Sequence, residues 1–149
     1  MILRLLMAAL AALILWGPER VRADMPIYSV RDGLAIGGYD VVAFFEEQRA
    51  VVGSSSHALM WKGVVWHFVS ARNQARFEAD PRSYAPVFGG YCAYAMSRGY
   101  LAPGDPSLWL IAEGELYLLN NAAVHATWLQ DHMALREAAR ENWPAALHR

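Results

Sequence analysis

The sequence predicts an α+β fold: a small antiparallel sheet of hairpins packed with short helices and followed by a C-terminal helical segment. Three observations carry this expectation. Residues 57–61 and 64–68 are apolar-rich stretches joined by Lys62-Gly63, and residues 109–112 and 115–119 repeat the arrangement across Glu113-Gly114. Helical patterns with cap residues lie beside them, Asp40 ahead of 41–47 and Ser70 ahead of 71–79. Hairpins and helices are segregated along the chain instead of alternating as βαβ units do.

In order, residues 27–36 form an entry segment with one short strand, and Gly37-Gly38 turns the chain into the Asp40-capped helix. A strand at 50–52 ends in Gly53-Ser54-Ser55-Ser56. In the first hairpin a two-residue turn pairs Trp61 with Val64, Leu59 with Trp66 and His57 with Phe68. Those six side chains then share one buried face, and Ala58, Met60, Val65 and His67 lie on the other. Phe77 marks the face of the 71–79 helix that meets the sheet, and Asp80-Pro81 begins a further turn. Gly89-Gly90 precedes a short helix at 91–96, closed by Gly99. After the loop Pro103-Gly104-Asp105-Pro106 and the second hairpin, Asn120 or Asn121 caps one long helix to about Trp143, with Pro144 behind it.

The chain has 149 residues and 16.6 kDa, and neither repeat nor linker interrupts residues 27–149. Residues 24–149 therefore read as a single domain with its core at about 34–143. Thirteen basic residues against 14 acidic ones leave a net charge of -1, which gives nucleic acid no electrostatic footing. One cysteine excludes an intramolecular disulfide and a multi-cysteine zinc site. No glycine-rich loop carries the lysine of a phosphate-binding motif, and no spacing supports a hydrolase. The reading leans towards a protein that is not an enzyme.

Residues 1–23 read as a signal peptide. Arg4 precedes an apolar run at 5–16, Gly17-Pro18 breaks it, and Val21-Arg22-Ala23 offers a cleavage site. The run is short of the ~20 residues of a spanning helix. The expectation is a periplasmic or secreted protein with no stable membrane span after cleavage. An uncleaved anchor is the alternative.

Five separated strings resemble the YHS-domain family in its longer, exported bacterial form. They are Gly38-Tyr39-Asp40-Val41-Val42-Ala43-Phe44-Phe45, Trp61-Lys62-Gly63-Val64-Val65-Trp66-His67-Phe68, Phe77-Glu78-Ala79-Asp80-Pro81-Arg82-Ser83-Tyr84-Ala85-Pro86, Gly89-Gly90-Tyr91-Cys92-Ala93-Tyr94-Ala95, and the hairpin from Trp109 to Asn120. The resemblance implies a compact α+β domain, and metal binding is the working assumption for shorter members. Their cysteines, near the start and after the second strand's Phe, have no counterpart here: Tyr39-Asp40-Val41 stands near the first and Val69 follows Phe68.

Cys92 is the main candidate for chemistry. It opens a short helix after two glycines, where free N–H groups favour a thiolate. Met96 follows one turn later, and thiolate with thioether suits a soft metal such as copper as Cu(I). His57 or His67 would supply a nitrogen ligand. The first reading is therefore a domain that buffers or delivers metal through Cys92, Met96, His57 and His67. A thiol or redox protein using Cys92 alone is the second. A non-catalytic module for a small ligand or a protein partner, with Cys92 structural, is the third. Asp40 is a helix cap or, alternatively, a carboxylate ligand or base. His125 and His132 share one stripe of the long helix but stand roughly 10 Å apart, too far for one ion. The aromatic set Trp61, Trp66, Tyr84, Tyr91, Tyr94, Trp109 and Trp128 reads as core, with a stacking pocket for a small organic ligand as the alternative.

Overall fold

Residues 25–148 are described by a computed structural model. Its elements confirm the α+β class. Two short strands, β1 (Val30–Arg31) and β2 (Leu34–Ala35), lead into α1 (Val41–Glu46) and the first hairpin, β3 (Ser54–Trp61) with β4 (Val64–Phe68). Helices α2 (Ala71–Ala79), α3 (Pro81–Tyr84) and α4 (Ala93–Ser97) precede the second hairpin, β5 (Asp105–Ala112) with β6 (Glu115–Leu119). Helices α5 (Ala122–Gln130) and α6 (His132–Asn142) follow. The first sheet runs β1-β2-β4-β3 and is antiparallel except at β2 and β4, where Leu34 lies beside Val65. The second hairpin is a separate two-stranded sheet.

Both hairpin turns place a non-glycine and then a glycine at positive φ, Lys62-Gly63 and Glu113-Gly114. That is the type I′ geometry whose twist matches the flanking strands. Trp61 pairs with Val64 and Leu59 with Trp66, as the turn length requires. The third expected pair does not form. Ser54 pairs with Phe68 and Ala58 with His67, so His57 sits in a bulge. A local bond competes with the ladder there, because the Ser56 N–H donates to Ser54 Oγ at 3.2 Å. The second hairpin repeats the device. Its register shifts between Asp105 and Trp109, where Asp105 Oδ1 accepts from the N–H and hydroxyl of Ser107.

Two clusters make up the core. The first joins Val41, Val42 and Phe44 of α1 to Trp66, Phe68 and Phe77, all but fully buried. Phe77 lies with its ring centroid 5.0 Å from that of Trp66 and 5.2 Å from that of Phe68. The second joins α4 to Tyr117, Leu119, Trp128 and Ala139. Strand β6 belongs to both, with Leu116 and Leu118 facing the first and Tyr117 and Leu119 the second. Its unbroken apolar sequence is what a strand buried on both faces requires.

Four further expectations need correction. The 27–36 segment holds two two-residue strands, not one. At 50–52 only Val52 pairs, in a single bridge to Tyr39. The helix expected at 91–96 starts later, because Tyr91 and Cys92 bridge Pro103 and Leu118. The long C-terminal helix is two helices, broken at Asp131 (φ -142°, ψ 44°), so His125 and His132 lie on different helices. The break lets α5 bury Trp128 while α6 buries Ala139 and reaches α4, where Asn142 Nδ2 donates to Met96 O at 3.1 Å. The leader at 1–23 lies outside the described residues. Among those described, no helix is long and apolar enough to cross a membrane.

Helix α6 is also tied to the second hairpin by charge. Arg136 Nη2 donates to Glu113 Oε2 at 2.6 Å, and Arg140 Nη2 to Glu115 Oε2 at 2.5 Å. The Arg136 guanidinium lies over the Tyr117 ring at 5.8 Å, and the Trp128 ring packs against the same residue at 5.7 Å. Trp128 Nε1, Arg136 Nε and Arg136 Nη1 are buried and find no hydrogen-bond acceptor among the described residues.

Two measurements check these assignments. Trp66→Ala removes a buried side chain shared by β4 and α2 and is expected to cost about 3–5 kcal/mol in a denaturant titration. Met60→Ala, on the exposed face of the same hairpin, is expected to change stability by less than about 0.5 kcal/mol. The hydrogen bond from Arg136 holds the Glu113 carboxyl below the ordinary carboxylate range. A depressed folded pKa adds stability above the unfolded value and loses it as pH falls through the folded value. Protection factors of the α6 amides, measured against intrinsic exchange at each pH, are therefore expected to fall as pH drops below about 4, with that part of the acid response reduced in Glu113→Gln.

Candidate functional site

Cys92 is the N-cap residue of α4, yet its side chain makes no capping hydrogen bond. Its N–H donates to Ala102 O at 2.8 Å and its carbonyl accepts from Met96 N at 3.0 Å. The residue is 0% exposed, as is Met96, and both belong to the second core cluster beside Tyr117 and Trp128. The structure thus brings the two sulfur side chains into one apolar cluster. It leaves the two histidines on the first sheet, His57 in the bulge of β3 and His67 on β4 near Gly38, both partly buried. Among the described residues, no three His, Cys, Asp or Glu side chains gather where they could hold a metal ion.

Asp40 is fully buried, and its hydrogen bonds account for it. Oδ1 accepts from the Val42 and Ala43 N–H groups at 2.8 and 3.3 Å, capping α1. Oδ2 accepts from the Val69 N–H and from Asn73 Nδ2, both at 2.8 Å. The carboxylate therefore ties α1, the end of β4 and α2 together.

A cleft of about 510 Å³ opens elsewhere on the protein, with Tyr28, Trp61, Arg82, Phe88 and Trp143 among its walls. Ile27 and Tyr28 form one wall, and the residues on either side of them are bonded in place. Tyr91 Oη donates to Pro26 O at 2.8 Å, and the Ser29 N–H donates to Gly89 O at 2.8 Å. Gly89 has φ +63°, and a Cβ there would stand 1.7 Å from Ile27 O, so only glycine allows this approach. The Tyr28 ring packs against Trp61 and Trp66 at 5.4 and 5.0 Å. Burial raises the pKa of its hydroxyl above the usual tyrosine range, and the nearby Arg82 charge pulls it back.

The charged and hydroxyl side chains of the cleft divide cleanly. Ser83 donates its hydroxyl to Asp80 Oδ2 at 2.6 Å. Glu115 Oε2 accepts from Tyr117 Oη and from Arg140 Nη2, both at 2.5 Å. Among the described residues, the Arg82 guanidinium makes no ion pair and the Tyr28 hydroxyl no hydrogen bond. The sequence places Trp61 in an aromatic set that reads as core or, alternatively, as a stacking pocket, and gives no sign of Tyr28, Arg82 or Trp143 as site residues. Arg82 and Trp61 stand inside two of the strings quoted above, but nothing local shows that residues 25–29 fold back beside them.

Compared with known proteins, the chain matches no family model, no curated protein and no solved structure.

Replacing Asp40 measures its part in the fold. Asp40→Ala leaves the buried Asn73 amide and the Val69 N–H without their acceptor, at about 1–3 kcal/mol for each donor. The expected result is a loss of at least about 3 kcal/mol by chemical denaturation. Asp40→Asn keeps one acceptor oxygen and is expected to recover part of it.

Proposed function

We propose that the protein is an exported, YHS-like binding module without catalytic activity, in which Cys92 is a packing residue and the aromatic cleft is the binding element. A contrast in exposure carries this reading: the Cys92 thiol is wholly buried, whereas the cleft is open and holds unpaired donors. A thiolate nucleophile or redox centre must meet its substrate, and a cysteine closed in by apolar side chains does not. A pocket of a few hundred Å³ with aromatic walls and a few polar groups has the usual form of a small-ligand site. Export rests on the leader pattern at 1–23, and YHS-like character on the five strings and their order.

One observation favours a second reading, the handling of a soft metal such as copper. Cys92 and Met96 lie in the same core cluster, one helical turn apart. Metal entry would require that cluster to open, since both residues are fully buried.

Thiol chemistry and copper retention separate the two. Under native conditions Cys92 is expected to resist an aromatic disulfide reagent and to react fully in denaturant. Cys92→Ser places a hydroxyl in an apolar site and is expected to cost about 1–3 kcal/mol. Protein loaded with Cu(I) and dialysed is expected to retain no stoichiometric copper. Retention of about one equivalent by the parent, lost in a folded Cys92→Ser variant, would overturn the packing role and establish the metal reading.

A further inference from the structure

The proposal deepens the cleft reading and rests on it. The Arg82 guanidinium and the Tyr28 hydroxyl, neither with a partner among the described residues, line the same cleft. Arginine offers only donors, and its planar fork matches a carboxylate. A tyrosine hydroxyl that stays protonated adds a neutral donor to the same anion. The acidic residue in the cleft does not cancel this preference. Glu115 already accepts from Arg140 and Tyr117, so its charge is paired while that of Arg82 is not. Trp61 and Trp143 line the same cleft and offer aromatic surface suited to a planar apolar body. We infer that the cleft binds small aromatic carboxylates, with the anion held by Arg82 and Tyr28 and the ring laid against Trp61 and Trp143.

The substitutions needed are conservative. Arg82 is exposed, so Arg82→Gln removes the charge without opening the core. Tyr28→Phe keeps the ring that packs on Trp61 and Trp66 and deletes only the hydroxyl.

The experiment titrates the protein with 2-naphthoate and with its neutral analogue 2-naphthalenemethanol, following indole and aromatic NMR signals. Naphthoate is expected to shift the signals of Tyr28, Trp61 and Trp143. It should bind about tenfold more tightly than the alcohol, the scale of one charge-assisted hydrogen bond. Arg82→Gln should erase that advantage and leave alcohol binding unchanged. Tyr28→Phe should weaken naphthoate by about threefold, the scale of a neutral hydrogen bond. Equal affinity of the parent for both probes, with the same signals shifted, would overturn the carboxylate preference and leave the cleft as a binding site. Unaltered naphthoate affinity in Arg82→Gln would overturn the assigned role of Arg82. Failure of both probes to shift any cleft signal at millimolar concentration would overturn the cleft reading itself.

Discussion

The Asp40 carboxylate is the interaction on which the first half of the molecule depends. A fully buried carboxylate is costly unless it is paired or richly hydrogen-bonded. Here two oxygens receive four N–H donors from three parts of the chain. One oxygen starts α1, whose β-branched Val41 and Val42 are not strong helix formers by themselves. The other fixes where β4 ends and how α2 leaves it, and so sets Phe77 against Trp66 and Phe68. Capping and tertiary docking are thus performed by one side chain, and neither the Val69 N–H nor the Asn73 side-chain amide has another acceptor among the described residues.

Strand β6 performs the corresponding task between the two clusters. Alternate side chains enter opposite cores, so displacement of the second hairpin would disturb α1 and α4 together. Cys92 is held to this strand by its bridge to Leu118, which helps explain why a residue at the mouth of a glycine-rich turn is so deeply buried. The free N–H groups that make a helix start attractive for a thiolate count for little here, because α4 has only five residues and Cys92 donates its own N–H to Ala102.

The cleft arises from contacts distant in sequence. Gly89 accepts the 25–29 segment at a distance no side chain would tolerate, and Tyr91 holds Pro26 from the same region. The chain around Trp143 closes another side, and Arg82 stands on a four-residue helix capped by Asp80. Among the described residues Arg82 makes no ion pair, whereas Arg76, Arg136 and Arg140 are matched to glutamates on neighbouring elements.

Local chemistry alone determined a good deal. The α+β class, the two hairpins with their turns, the Ser70 and Asp40 caps and the inward face carrying Trp66, Phe68 and Phe77 follow from short-range rules of periodicity, turn geometry and capping. The tertiary structure decided what those rules cannot reach. The bulge that removes His57 from the ladder depends on a serine bond competing with cross-strand pairing. The break at Asp131 has neither proline nor glycine to announce it and serves two separate burial sites, those of Trp128 and Ala139. Burial of Cys92 was decided by β6, some 25 residues downstream, and the cleft by a segment that returns from some 60 residues upstream of Gly89. Sequence spacing specifies which face of an element is apolar, whereas only the packed chain decides which polar groups lack partners and whether they line an open cleft, as Arg82 and Tyr28 do, or lie buried, as Trp128 Nε1 does.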